Sequence, residues 1–394
     1  MRKLLFAHDD RVLIQADGRP VSFNYSRNLV DRYRYLADHV TFAIRGAEAG
    51  AVRWFEDADI VSIPEMKHGR ELLRYRLAKK KVEKLVHDHD IVVARLPSLI
   101  GSWALREAWR CHKPVMIECV GCPWDALWNH SLKGKLVAPF FWAKNRWLMS
   151  RAGDVIYVTR SFLQRRYPCS GRTLACSNVE VQRASKEAME RRLARVAEIR
   201  RGAPIVLGTT ANLDVRYKGH DLVIRALAAL GDKADRFTYR LIGPGDPGRL
   251  RALAERLGVI GRLEFLGGVD RAKIPDALDA VDVYIHPSRQ EGLPRAMIEA
   301  MARGCIVVGA RTGGIPELLE DEWVVPRGDW RAIVDLLQDL TARQLEAACR
   351  RNHAEAGRYE FAMLTAARER FYDHFLAEYN LSSNAIVAAQ FNAG

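Results

Sequence analysis

The stretch Ser288-Arg289-Gln290-Glu291-Gly292-Leu293-Pro294-Arg295-Ala296-Met297-Ile298-Glu299-Ala300-Met301-Ala302-Arg303-Gly304 decides how this chain is read. It carries two carboxylates, Glu291 and Glu299, with seven residues between them. Gly292-Leu293-Pro294 interrupts any helix entering from Glu291, and a good helix-forming run follows. Proline suits the first helical turn, where its missing N–H costs nothing. Glu291 is therefore expected on a loop and Glu299 on the first turns of a helix. A rise of ~1.5 Å per helical residue places the two carboxylates on the order of 10 Å apart. The helix start offers free N–H groups and a positive dipole end to an anion.

Outward from this stretch, short apolar runs alternate with helical patterns. Leu4–Ala7, Val40–Ile44, Ile60–Ile63, Ile91–Ala94, Val115–Glu118, Asp154–Val158 and Leu174–Cys176 read as strands in the first half. Ile205–Thr209, Thr238–Ile242, Leu263–Leu266, Val283–His286 and Cys305–Val308 read as strands in the second. This alternation predicts an α/β protein with parallel sheets covered by helices. Residues 1–185 form the expected first domain. The charged, Ala-rich run 186–203 is expected as a linker, 204–355 as a second α/β domain, and 356–394 as a C-terminal helix and tail, the helix packing back on the first domain. In open parallel sheets ligands bind beyond the carboxyl ends of the strands. Gly243-Pro244-Gly245, Gly267-Gly268 and Gly313-Gly314 all follow predicted strands.

From about Ile205 to Leu319 the chain resembles the retaining glycosyltransferases of family four, which have two Rossmann-like domains facing across a cleft, the GT-B fold. Lys218-Gly219-His220-Asp221, Ile242-Gly243-Pro244-Gly245, the two-glutamate stretch and Gly313-Gly314-Ile315-Pro316-Glu317 carry the resemblance, in that order. In the first half, Tyr157-Val158-Thr159 and Ser177-Asn178-Val179-Glu180 are the best local matches. The resemblance implies that Glu291 bonds donor-sugar hydroxyls, helped by the N–H groups of Gly292 and Leu293. Glu299 would take the ribose diol, a fitting bidentate acceptor. Lys218 would neutralise the diphosphate, with Arg216 as the second cation; the family's arginine stands about five residues before the lysine, where this chain reads Asn212-Leu213. Gly243, Gly245, Gly313 and Gly314 would let backbone approach the donor. The ~10 Å between the carboxylates is about the length of a nucleotide sugar.

Plainer readings stand beside these. Glu299 can be a solvated helical charge, Lys218 an accident of a helix start, and the glycines mere turn-makers. In the first domain many relatives place a His-Asp pair after a central strand. This chain has Glu118-Cys119-Val120-Gly121-Cys122-Pro123-Trp124-Asp125 there, with His130 later. Asp125 and His130 are the candidates for contact with the reacting centre, with Glu118 and Asp9 as further acidic groups.

The seven cysteines are scattered, which argues against a disulfide framework, and Cys119-Val120-Gly121-Cys122 has no second pair to complete a zinc site. No metal ligand set is assigned, and no Asp-x-Asp motif stands where the family resemblance would put one. No cofactor is expected; the nucleoside-diphosphate sugar is a substrate, UDP favoured over GDP. The net charge of +13 is spread over many segments rather than a stripe, which argues against nucleic acid. Leu136–Met149 mixes large apolar side chains with Lys144 and Arg146, flanked by Lys133, Lys135 and Arg151. It reads either as a core helix with a basic edge or as a helix lying in an anionic membrane interface. The expected partners are the donor and a glycan or lipid-linked sugar acceptor. The expected place is the cytoplasm, at the inner face of the cell membrane. The competing reading is a scaffold that keeps the nucleotide-sugar site without turnover.

Overall fold

The computed structural model describes residues 1–11, 13–14, 20–21, 27–46, 51–64, 72–129, 131–179 and 181–382. Contacts divide the chain into two compact units. Met1–Pro123, Pro139–Cys176 and the chain from Thr365 form the first; Trp124–Ala138 and Ser177–Leu364 form the second. Among the described residues no helix is long and apolar enough to cross a membrane.

The first unit is built on strands β1 (Lys3–Arg11), β2 (His39–Gly46), β3 (Ala51–Phe55), β4 (Ala58–Pro64), β5 (Ile91–Leu96), β6 (Val115–Cys119), β7 (Asp154–Tyr157) and β8 (Arg172–Ala175). Their order is β8-β7-β6-β5-β1-β2-β4-β3. Neighbours run parallel except the edge strand β3, which is antiparallel to β4. Leu4–Ala7 and all of β5 are buried, as continuous apolar strands covered on both faces must be. Two helices matter below: α1 (Leu72–His87) and α2 (Leu99–Arg110). Asp9, an acidic candidate in the sequence, caps α2. Its Oδ2 accepts from Leu99 N at 2.7 Å and its Oδ1 from Ile100 N at 3.0 Å. Two of the helix's orphan donors are thereby satisfied. Glu118 accepts from Arg95 Nε (2.9 Å) and Nη2 (2.7 Å) and from the Tyr33 hydroxyl (2.6 Å), sealed in the core. The C-terminal helix Phe361–Glu378 joins this unit from Thr365 on, where Asp373 accepts from the Tyr35 hydroxyl at 2.6 Å and Glu378 pairs with Arg172.

The second unit holds β9 (Ile205–Thr210), β10 (Phe237–Ile242), β11 (Leu263–Gly267), β12 (Val283–His286), β13 (Ile306–Ala310) and β14 (Val324–Val325). Their order is β11-β10-β9-β12-β13-β14, all parallel. The first strand of the unit sits between the second and fourth, so the topology reverses between β9 and β12. The crevice rule for open sheets puts a ligand there.

The segment expected as a linker is helix α3 (Lys186–Arg200), built into this second unit. Its buried Arg192 donates to Val281 O (2.6 Å), Leu278 O (3.1 Å) and Asp279 O (3.2 Å). Arg195 grips Asp282 with two bonds of 3.0 Å. The chain changes contact unit at Pro123/Trp124, Ala138/Pro139, Cys176/Ser177 and Leu364/Thr365, whereas the sequence reading drew its boundaries after residues 185, 203 and 355. All seven cysteines lie among the described residues and none is in a disulfide; Cys119 and Cys122 are buried, with Cys122 Sγ 3.1 Å from the Tyr167 hydroxyl.

Candidate active site

The two strands flanking the reversal end in loops that lock together. After β9 the chain runs to a short turn, Arg216–Lys218, and then into helix α4 (His220–Ala229). Gly219 joins turn to helix at φ +80°, and a Cβ there would stand 2.3 Å from Pro287 O. Only glycine allows this approach, which brings Lys218 against the loop after β12. Arg289 holds the two loops in register. Its N–H donates to Tyr217 O (2.7 Å), and its guanidinium meets Asp221 at 3.2 and 3.0 Å and Arg216 O at 3.2 Å. Ser288 is fully buried beneath it.

Glu291 is the focus of this arrangement. Its Oε1 accepts from Lys218 Nζ at 2.7 Å and from His286 Nε2 at 2.8 Å. The acceptor role of the carboxylate puts the proton on Nε2 of His286. The Glu291 side chain is 9% exposed and that of Lys218 21%. Burial alone would raise the carboxyl's pKa, but Lys218 and His286 hold it down to about 2. His286, the last residue of β12, is 1% exposed, and its ring stacks on Tyr284 at 6.0 Å. Next to it His220 is driven down to about 4, by burial first and then by His286 and Arg249, and is therefore neutral at pH 7.

The Glu291 loop rests on a second glycine turn. Gly314 N donates to Gly292 O at 2.7 Å. A Cβ on Gly313, at φ +58°, would stand 2.3 Å from Glu291 O. Gly313 and Gly314 thus support the loop. Among the described residues, the N–H groups of Gly292 and Leu293 donate no hydrogen bond. Pro294 is the N-cap of helix α5 (Arg295–Ala302), one position before the first helical residue.

Glu299 lies on α5 and lines a cavity of about 140 Å³ with Arg271, Gln182, Ile274, Leu278 and Ala302. Burial pushes its pKa up, against the opposing pull of Arg295 and Arg271. Tyr284, fully buried, feels both carboxylates: burial first, then Glu299 and Glu291, raise its hydroxyl. Gly243 and Gly245 make the turn after β10 that packs on the turn after β9. Cβ atoms on them would stand 2.1 Å from Ala211 O and 2.8 Å from Asp214 Oδ2. Arg216 is exposed on the same turn as Lys218.

Two candidates assigned to the first domain stand differently. Asp125 is buried on the short helix Pro123–Trp128, in a stretch that packs with the second unit. There the Asn129 amide donates to Asp125 O (2.8 Å) and Arg289 O (3.3 Å). Its place in the chain before β7 had suggested the first unit; that backbone contact puts it in the second. His130 lies outside the described residues. His286 and the Asp221–Arg289 pair were not singled out in the sequence.

Residues 204–343 match the model of the family "Glycosyl transferases group 1". Protein CapJ of Staphylococcus aureus is 26% identical over 82% of both chains. The putative colanic acid biosynthesis glycosyltransferase WcaL of Escherichia coli K12 is 35% identical over 34% of this chain and 35% of its own. Among solved structures, Anabaena Alr3699/HepE in complex with UDP and glucose superposes with a TM-score of 0.65 at 19% identity, covering 94% of this chain and 99% of the other. The fold is GT-B. Lys218, Glu291 and Glu299 fall within the residues that match this family model.

Proposed function

We propose that this protein moves a sugar from a UDP-sugar to an acceptor hydroxyl, with retention at the anomeric carbon and without a catalytic metal. It would do so in the synthesis of a bacterial surface polysaccharide or lipopolysaccharide. The observation that carries this reading is the Lys218–Glu291–His286 cluster at the topological switch of the second sheet, beside two unspent N–H groups. Lys218 spends one donor on Glu291 and keeps the others of its ammonium group for an anion. A diphosphate set against it is neutralised as the leaving group departs, the role a divalent cation fills elsewhere. Glu291, held ionised, accepts from donor-sugar hydroxyls, and the Gly292 and Leu293 N–H groups face the same sugar. Glu299 accepts the ribose diol. HepE, solved with UDP and glucose, supports the uridine donor, and WcaL supports the polysaccharide product. Retention rests on the family resemblance. Attack would come from the face the phosphate leaves, the phosphate helping to take the acceptor proton.

A lipid-linked or surface-glycan acceptor places the enzyme in the cytoplasm against the inner face of the cell membrane. The helix Leu132–Ser150 supports this. Leu132, Leu136 and Phe140, spaced one helical turn apart, are 80%, 83% and 68% exposed beside exposed Lys133 and Lys135.

The test is a thermal-shift screen of UDP- and GDP-sugars, followed by the stereochemistry of the product. A UDP-sugar at 100 times its dissociation constant should stabilise the fold by about 2.7 kcal/mol. A shift with GDP-sugars alone overturns the donor, an inverted anomer overturns retention, and tight binding without turnover on any acceptor returns the scaffold reading.

A further inference from the structure

Three side chains of different chemistry converge in the first unit, where α1 ends beside α2. Glu107 and Cys111 are four residues apart, so one helical turn stacks them, Cys111 being the C-cap of α2. His87, the last residue of α1, reaches across to both. His87 Nε2 lies 2.9 Å from Glu107 Oε1 and 3.7 Å from Cys111 Sγ, and Sγ lies 3.5 Å from Glu107 Oε1. All three donor atoms fall within 4.8 Å of one another. None of them belongs to the donor-sugar site.

We propose that His87, Glu107 and Cys111 form a zinc site that staples the end of α1 to α2. The spacing is the first argument. Zinc bonds of ~2.3 Å to sulfur, ~2.1 Å to nitrogen and ~2.0 Å to oxygen, arranged tetrahedrally, separate their donors by roughly 3.6 Å (S–N), 3.5 Å (S–O) and 3.4 Å (N–O). Two edges of the observed triangle match within ~0.1 Å, and the third, closed by a hydrogen bond, is shorter by ~0.5 Å. The His87 side chain is 53% exposed, so its ring is free to open that edge. The donor set is the second argument. One thiolate, one imidazole and one carboxylate suit a borderline divalent ion, not the all-oxygen shell that calcium or magnesium takes. Solvent completes the fourth position.

Arg110 is the built-in competitor. Its Nη2 lies 2.6 Å from Glu107 Oε1, the oxygen the metal would use, and its Nε 3.0 Å from Oε2. The Arg110 side chain is 70% exposed and can retreat to Oε2, leaving Oε1 to the ion. The ligand positions 87, 107 and 111 follow no short-range motif, which is why they pass unnoticed in the sequence.

The test uses the full chain stripped with a chelator, then titrated with Zn²⁺ or Co²⁺ alone against a chromophoric competitor. One equivalent should bind. The cobalt form should show the intense visible bands of a four-coordinate site and a thiolate-to-cobalt charge-transfer band. Cys111→Ser should abolish that band, and Cys111→Ser or His87→Ala should each weaken Zn²⁺ by roughly 10- to 100-fold or more. A cooperative thermal unfolding transition in each metal-free variant reports that it is folded. Arg110→Ala should tighten Zn²⁺ several-fold, an effect that three merely hydrogen-bonded side chains would not produce. No stoichiometric binding, a charge-transfer band that survives Cys111→Ser, or an Arg110→Ala chain that binds no tighter overturns the proposal.

Discussion

Glu118 in the first unit and Glu291 in the second are both buried carboxylates that burial alone would raise and that neighbouring cations hold down to about 2. Their surroundings differ in what is left over. Glu118 is 2% exposed, and Arg95, itself buried and stacked 4.8 Å from the Phe6 ring, spends two donors on it while Tyr33 takes the other oxygen. All three side chains of that trio are buried. Glu291 has a lysine for its cation, part-exposed at a loop and using one of its donors, with unspent backbone N–H groups beside it. A similarly lowered pKa therefore accompanies a closed ion pair in one unit and, on the function proposed above, a binding group in the other. What separates them is the donor capacity that remains, not the charge.

Glu118→Ala tests the closed half of this comparison and should have the largest effect. It strands Arg95 and the Tyr33 hydroxyl in the core and should cost about 3–5 kcal/mol in denaturant or thermal unfolding. A loss no greater than that of a surface substitution would erase the distinction. Glu291→Gln and Lys218→Ala test the open half. Each should lower transfer by about 10²–10³-fold, measured as initial rate, while the protein stays folded. Rates within about tenfold of the parent in both would break the site assignment.

Glu299 sharpens the comparison from the other side, with a smaller effect. Burial outweighs Arg295 and Arg271 there, so its pKa stands above the ordinary carboxylate value instead of below it. On the proposed function, the ionised form is the one that would accept two ribose hydroxyls. UDP affinity should therefore fall as pH drops through that raised value, at a pH where Glu291, at about 2, is still fully charged. Calorimetric titration with UDP from neutral to acid pH measures this, and Glu299→Gln should flatten the profile. A wild-type profile that stays flat until the ordinary carboxylate range would show that Glu299 does not hold the nucleotide.

The strand alternation, the two-glutamate stretch and Lys218 could be read from the sequence because each is local. A parallel strand announces itself as an apolar run, and the helix after Pro294 by its composition. His286 could not be read that way: it stands five residues before Glu291 and looks like the end of a strand, and only the loop's fold-back brings it to 2.8 Å. The Asp221–Arg289 pair joins residues 68 apart. Helix α3 looked like a linker because its charged, Ala-rich sequence shows little apolar stripe, and one of its buried anchors is an arginine whose partners are main-chain carbonyls. The edge strand β3 pairs antiparallel outside the alternating rhythm and had no apolar run to announce it.

That same arginine bears on how the chain can be cut. The family match begins at 204, a natural place to start a shortened protein. Such a fragment would discard α3 and with it the donors that Arg192 supplies to the carbonyls of Leu278, Asp279 and Val281, just ahead of β12. Unquenched acceptors there would loosen the strand that ends in His286. A fragment that keeps α3 with the rest of its unbroken stretch begins at Ser177, well ahead of the residue at which the family match starts, and it still lacks Trp124–Ala138, which belongs to the same unit.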